Sequence, residues 1–466
     1  MREDTATGPD ATRRRDIPAL TGLRAVAACW VVLFHVQMFT WPYLDQLPLV
    51  RPLIAAGWTG VELFFVLSGF VITLTYGQRM GSRPRLGQGV HFLVNRVARV
   101  WPAWAVVTVL AGAWVWSLRK GGWDADVITT HADADLGSLV SQLTMTQMWG
   151  RIDHAGASFV LPGWSISAEW TAYLLFPVVV VLVWQLRRLP AWLLMVLAVA
   201  AMSPLSYIAF TTGTPDHQQD WMLRIACGFT AGMLTALAVR RIRVTERVES
   251  VALAALVSSI GLVVTGSTWA MWNRGTDYDT DYSAVVVVAF PVIVAALALT
   301  SRGPARWLSS APLVYGGKIS YALYLVHFLV LDVVITLWWQ DPATRGELTP
   351  GLALAMPALV LACLLLSAAL HHGVEEPGRR LVLAGVARLT GRRAPRRRAA
   401  GTPLPVVLPE VVPTAEVPVA VAAGPRTERL LAVGRGTDVP PVRPLRAVAP
   451  AAGSRPPARV RSGAAG

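Results

Sequence analysis

Seven ionisable residues fall inside long apolar stretches of this sequence: Arg24, His35, Glu62, Glu169, Arg224, His327 and Asp332. An ionisable group at membrane depth is costly to bury, so each marks a functional site by default. Arg24 and His35 are eleven residues apart. On an α-helix that spacing is three turns plus ~20°, so both side chains share one face, ~16 Å apart along the axis. Glu62 and Glu169 each lie a few residues from the outer end of their own stretch, and His35 lies about as deep. A histidine with a carboxylate partner is a general base whose tautomer is fixed. For the same residues a structural hydrogen bond between helices is the alternative. His327, beside Tyr324, suits such a helix-to-helix bond better.

A second group sits at the other end. Arg96 and Arg99, in RVARVWP, are three apart and share a helix face. Planar guanidinium groups suit bidentate capture of phosphate. The plainer reading is that they are basic residues flanking a membrane span. His371 and His372 read as an interfacial pair, not a metal site. A glycine-rich phosphate loop, HExxH and GxSxG are absent from the sequence.

The elements that must hold these residues are membrane helices. The chain has 466 residues, 54% apolar and only 15% charged, against about a quarter charged in soluble domains. Its mean hydropathy is +0.48. Ten apolar spans are predicted near 20–40, 59–76, 100–118, 165–186, 191–211, 221–239, 250–272, 282–300, 319–339 and 351–371. With the N-terminus inside, the inner segments hold 26 Lys/Arg and the outer loops six. That bias places both termini in the cytoplasm. The expected class is an all-α integral membrane protein, multi-pass in the cell membrane. Tryptophans cluster at span ends, Trp101 among the inner ones, as an interfacial belt does.

The formal net charge of +14 does not point to nucleic acid. Residues 378–466 carry a net of +12, which leaves +2 for residues 1–377. The chain divides into a cytoplasmic segment 1–16, a membrane domain 17–377, and a basic Pro/Ala/Arg-rich tail 378–466 that reads as disordered. The tail's first part, 391–399, is basic enough to touch anionic lipid heads. Residues 136–149 suit a short amphipathic helix on the outer surface. Cys29, Cys227 and Cys363 read as buried small residues.

Several ordered motifs resemble those of the acyltransferase-3 family of bacterial membrane O-acyltransferases. IPALTGLRAVAACWVVLFH (17–35) is similar to its first-helix motif, an arginine, ten residues, then a histidine. GVELFFVLSGFVIT (60–73), FLVNRVARVWPAW (92–104) and WSISAEW (164–170) resemble its second-helix, RxxR and Trp-Ser-x-Ser-x-Glu elements. RIACGFTAG (224–232), KISYALYLVH (318–327) and VEEP (374–377) resemble later ones. The match spans about 16–377. The second-helix acid, often Asp in the family, is Glu62 here.

The resemblance implies an acyl-CoA co-substrate from the cytosol, with acetyl as the common acyl group, and no tightly bound cofactor or metal. The acceptor is expected to be a hydroxyl of an extracytoplasmic or lipid-linked glycan or a similar molecule. Arg24, Arg96 and Arg99 are expected to hold the nucleotide end. His35 acts at the thioester, as general base or as acyl carrier, with Glu62 or Glu169 orienting it. Ser165 and Ser167 line the acceptor side. Membrane lipids surround the chain. Some relatives add a C-terminal hydrolase-like domain; the tail here is expected not to supply one, leaving a separate extracytoplasmic transferase or direct transfer. The competing reading is a proton-coupled transporter, which also uses intramembrane His, Glu and Arg.

Overall fold

Pro18 opens the first helix, where its missing N–H is no loss, and α1 runs Pro18–Gln37. The computed structural model describes residues 17–37, 39–40, 44, 46–213, 220–274, 281–340 and 350–390. Among these, nine helices are long and apolar enough to cross a membrane, and no residue is in a strand. After α1 come α2 (Gly60–Ser82), α3 (Leu86–Lys120), the short α4 (Leu136–Leu143), α5 (Gly163–Gln185), α6 (Ala191–Thr212), α7 (Asp220–Val239) and α8 (Glu246–Arg274). Then follow α9 (Phe290–Leu299), α10 (Ala311–Gln340), α11 (Pro350–Leu370) and α12 (Glu376–Leu389).

The eighth expected span is the exception. Its residues form a 3-10 stretch, Ser283–Ala289, followed by α9. The valine run 285–288 is β-branched and stiff, and Pro291 supplies no N–H to the turn before it. The expected ten full spans are therefore nine and a shorter tenth. The expected start of the disordered tail at 378 is also corrected, because α12 continues as helix to Leu389. Residues 1–16 and 391–466 lie outside the described residues.

Two helix pairs set the geometry of the site. Gly317 of α10 lies directly on the Thr21 carbonyl of α1, where a Cβ would collide with backbone. Gly69 of α2 and Gly232 of α7 meet the Phe229 and Val66 carbonyls in the same way. Small residues let membrane helices approach closely, and dispersion then holds them. α7 is buried on nearly all sides. Cys227 and Cys363 are buried as expected, whereas Cys29 is on an exposed face of α1.

The long loop before α5 packs into the bundle. Asp135 caps α4 by accepting from the Ser138 N–H, and the Trp101 and Trp104 indoles of α3 donate to the Leu143 and Gln142 carbonyls. Trp101 thus also ties α3 to this loop. Gln142 is buried and accepts from the Phe159 N–H, which satisfies backbone that apolar surroundings would otherwise strand.

Candidate active site

The close α1–α10 contact brings two imidazoles together. His35 Nδ1 lies 2.9 Å from the Val31 carbonyl of its own helix and 3.3 Å from His327 Nε2. His327 Nδ1 lies 3.0 Å from the Leu323 carbonyl. This network assigns the protons. His35 donates its Nδ1–H to the Val31 carbonyl and His327 donates its own to Leu323, so the His327 Nε2 lone pair at 3.3 Å is a second, longer acceptor of the same His35 proton. The lone pair of His35 is then on Nε2, which has no hydrogen-bond partner among the described residues. Phe34 and Phe328 stand edge-on to the His35 ring at 5.1 and 5.3 Å and restrict its rotation.

His35 lines a cavity of about 190 Å³ that also touches Phe34, Trp58, His154, Trp164, Arg224, Asp281 and Tyr324. Trp58 donates to Asp281 at 2.7 Å. The site therefore offers a ring nitrogen with a free lone pair on a residue that lines an open, mixed polar and aromatic space. That is the requirement for a general base or a nucleophile.

Neither acid expected to orient His35 does so. Glu62, in the first turn of α2, where the helix dipole favours a carboxylate, accepts from Arg224 Nε at 2.5 Å. Arg224 also lies 3.6 Å from Asp220 and over the Trp164 and Trp58 rings at 4.3 and 5.1 Å. Glu169 accepts from the Ser68 and Tyr173 hydroxyls. Its side of α5 faces the arginines, not His35. The serines differ from expectation as well. Ser165 is 2.6 Å from the Tyr324 hydroxyl and donates to the Pro162 carbonyl, and Ser167 accepts from the Met148 N–H. Both pin α5 to its neighbours, and neither lines the cavity.

The three expected arginines do gather. Arg24 donates to Ser320 at 3.4 Å and feels the charges of Arg99, Glu169 and Glu375. Arg96 is boxed by the Tyr76, Phe92 and Tyr173 rings, each 5.9 Å away, and its Nε is buried without a hydrogen-bond partner. Arg99 lies 3.5 Å from Glu375. Guanidinium groups that are only partly paired have the chemistry to accept an anion.

His327, Tyr324 and Arg224 hold the site together more than spacing suggests. One signal for two of them is in the sequence. Ser320, Tyr324 and His327 recur at helical spacing on one face of α10, and they contact Arg24, Ser165 and His35 in turn. Asp332 and His371 are likewise paired, to His131 and Glu375. Among the described residues no group of three or more His, Cys, Asp or Glu is arranged to hold a metal.

A helical membrane bundle with a histidine at a cavity and an arginine cluster is compatible with the acyltransferase resemblance of the sequence. Residues 17–372 match the acyltransferase domain of the acyltransferase-3 family, and the chain belongs to that family. It is 27% identical to the acyltransferase MdmB of Streptomyces mycarofaciens over 81% of this chain and 94% of that one. It is 26% identical to nodulation protein 10 of Rhizobium leguminosarum bv. viciae, over 78% and 94%. A putative O-acetyltransferase of Staphylococcus aureus strain COL is 22% identical over 69% of this chain and 52% of its own length. No solved structure matches the chain. The protein is thus a multi-pass membrane acyltransferase, a transferase of groups other than aminoacyl groups.

Proposed function

We propose that the protein moves an acyl group, acetyl as the simplest case, from cytosolic acyl-CoA to a hydroxyl of an extracytoplasmic or lipid-linked glycan or a similar acceptor. The cell membrane, with both termini in the cytoplasm, is the proposed setting. The observation that carries the reading is the His35 Nε2 lone pair at the cavity, on the same helix face as Arg24 and its arginine neighbours. Arg24, Arg96 and Arg99 bind the anionic nucleotide end. The pantetheine arm extends toward His35. Nε2 takes the acceptor's hydroxyl proton as its oxygen attacks the thioester carbonyl. A C–O bond forms, the C–S bond breaks, and the proton passes to the departing thiolate.

The test is turnover of labelled acetyl-CoA by the protein in lipid nanodiscs. His35→Gln keeps size and hydrogen bonding but offers no basic nitrogen, so turnover should fall about 10²–10⁴-fold while acetyl-CoA binding is unchanged. Near-normal turnover by His35→Gln would make the histidine structural and remove the mechanism.

A further inference from the structure

Glu375 takes no part in the transfer chemistry, yet it is buried in the arginine cluster, with its side chain only 2% exposed. One oxygen lies 2.8 Å from His371 Nδ1. The other faces Arg99 at 3.5 Å and has no hydrogen-bond partner. A separation of 3.5 Å is an ion-pair contact, not a directed bond, and a desolvated carboxylate oxygen without a donor is unfavourable. Arg99 itself is 31% exposed, so an incoming anion can reach it. Glu375 also sits in a π-helical turn, His371–Glu375, between α11 and α12. Such turns concentrate at functional sites. Relaxing one to α-helical winding turns the residues beyond it by about 100°. Nothing lies within 4 Å of where a Cβ on Gly373 would project, so the turn has room to change.

We propose that Glu375 is an internal stand-in for the donor's phosphate. It holds Arg99 while the site is empty and yields that arginine to the diphosphate of acyl-CoA. This rests on the donor assignment above. The carboxylate keeps the partly buried Arg99 guanidinium neutralised between turnovers, and it lowers donor affinity by the fraction of sites it occupies. His371 receives the released carboxylate's remaining contact, so the turn rearranges without leaving the bundle.

The experiment measures acetyl-CoA binding to the full chain in nanodiscs. Removing the competitor with Glu375→Gln should tighten binding at least about 5-fold. Arg99→Ala should weaken binding, and Glu375→Gln in that background should bring no gain, since no arginine is released. If Arg99→Ala weakens binding but Glu375→Gln binds equally or more weakly than the parent, Glu375 is a structural acid and the inference is overturned while the donor site stands. If Arg99→Ala binds normally, the donor assignment itself fails and the inference with it. Should Glu375→Gln not accumulate, hydrogen exchange of the unaltered protein decides. Coenzyme A should speed exchange across 371–376, and slowed or unchanged exchange overturns the proposal.

Discussion

At His35 the tasks usually given to a carboxylate fall to a backbone carbonyl and a second imidazole. The Val31 carbonyl accepts the Nδ1 proton, His327 Nε2 shares it at 3.3 Å, and His327, Phe34 and Phe328 hold the ring. A neutral partner fixes the tautomer without stabilising the imidazolium as an anion would. His327→Ala should lower turnover about 10- to 100-fold, as loss of an orienting partner typically does. His327→Gln, whose amide oxygen can accept the same proton, should restore part of it. A matching shift in the pH–rate profile for alanine alone separates tautomer control from packing. Equal loss in both variants, with an unshifted profile, would assign His327 to packing only.

α10 organises the site as an element. One face carries Ser320, Tyr324 and His327, and Asp332 lies further along. Asp332 fastens the outer loop: His131 Nε2 is 3.1 Å from it, the Trp114 indole donates to the same oxygen, and Asp126 takes the other ring nitrogen at 3.3 Å. Burial opposes charge on His131, but the hydrogen bonds and charges of Asp332 and Asp126 outweigh it, so its pKa is raised above the ordinary 6.5. The latch is complete below that ordinary value and is lost as pH rises through the raised one. Thermal unfolding should show stability falling over that window. Asp332→Asn should reduce the dependence to the part that Asp126 sustains, and cost about 3–5 kcal/mol at low pH, as breaking a buried pair does. An unchanged pH dependence in Asp332→Asn would place the latch elsewhere. These partners show what hydropathy can and cannot reveal. The spans were legible because apolar length is a one-dimensional property, and the arginine cluster because depth follows from span order. The orientation of Glu62 and Glu169 was not, since depth gives a layer but no direction within it. Glu62 shares His35's expected layer yet faces Arg224 on α7, 162 residues away in the chain.

Across the whole molecule, chemistry and charge divide between two ends. The arginine cluster lies with the Lys/Arg-rich segments, and the His35 cavity lies with the acidic loops. Under the proposed topology the positive-inside bias puts the arginine end toward the cytoplasm. Reporters fused after Arg188 and Arg243 should read as cytoplasmic, and one placed near Asp133 as external. An internal reading near Asp133 would reverse the assignment of donor and acceptor ends along with the topology.

The seat of Gly317 on the Thr21 carbonyl has a mechanical meaning. It is a fulcrum, and the histidine pair is the load ten residues along the same arm. At the helical rise that arm is ~15 Å, so an opening of only ~4° at the glycine displaces the imidazoles by ~1 Å. A methyl group added there, several turns from the His35 ring, acts as a wedge with its travel magnified at the far end. The placement of the His35 ring is therefore set by the stiffness of a helix contact several turns away from it.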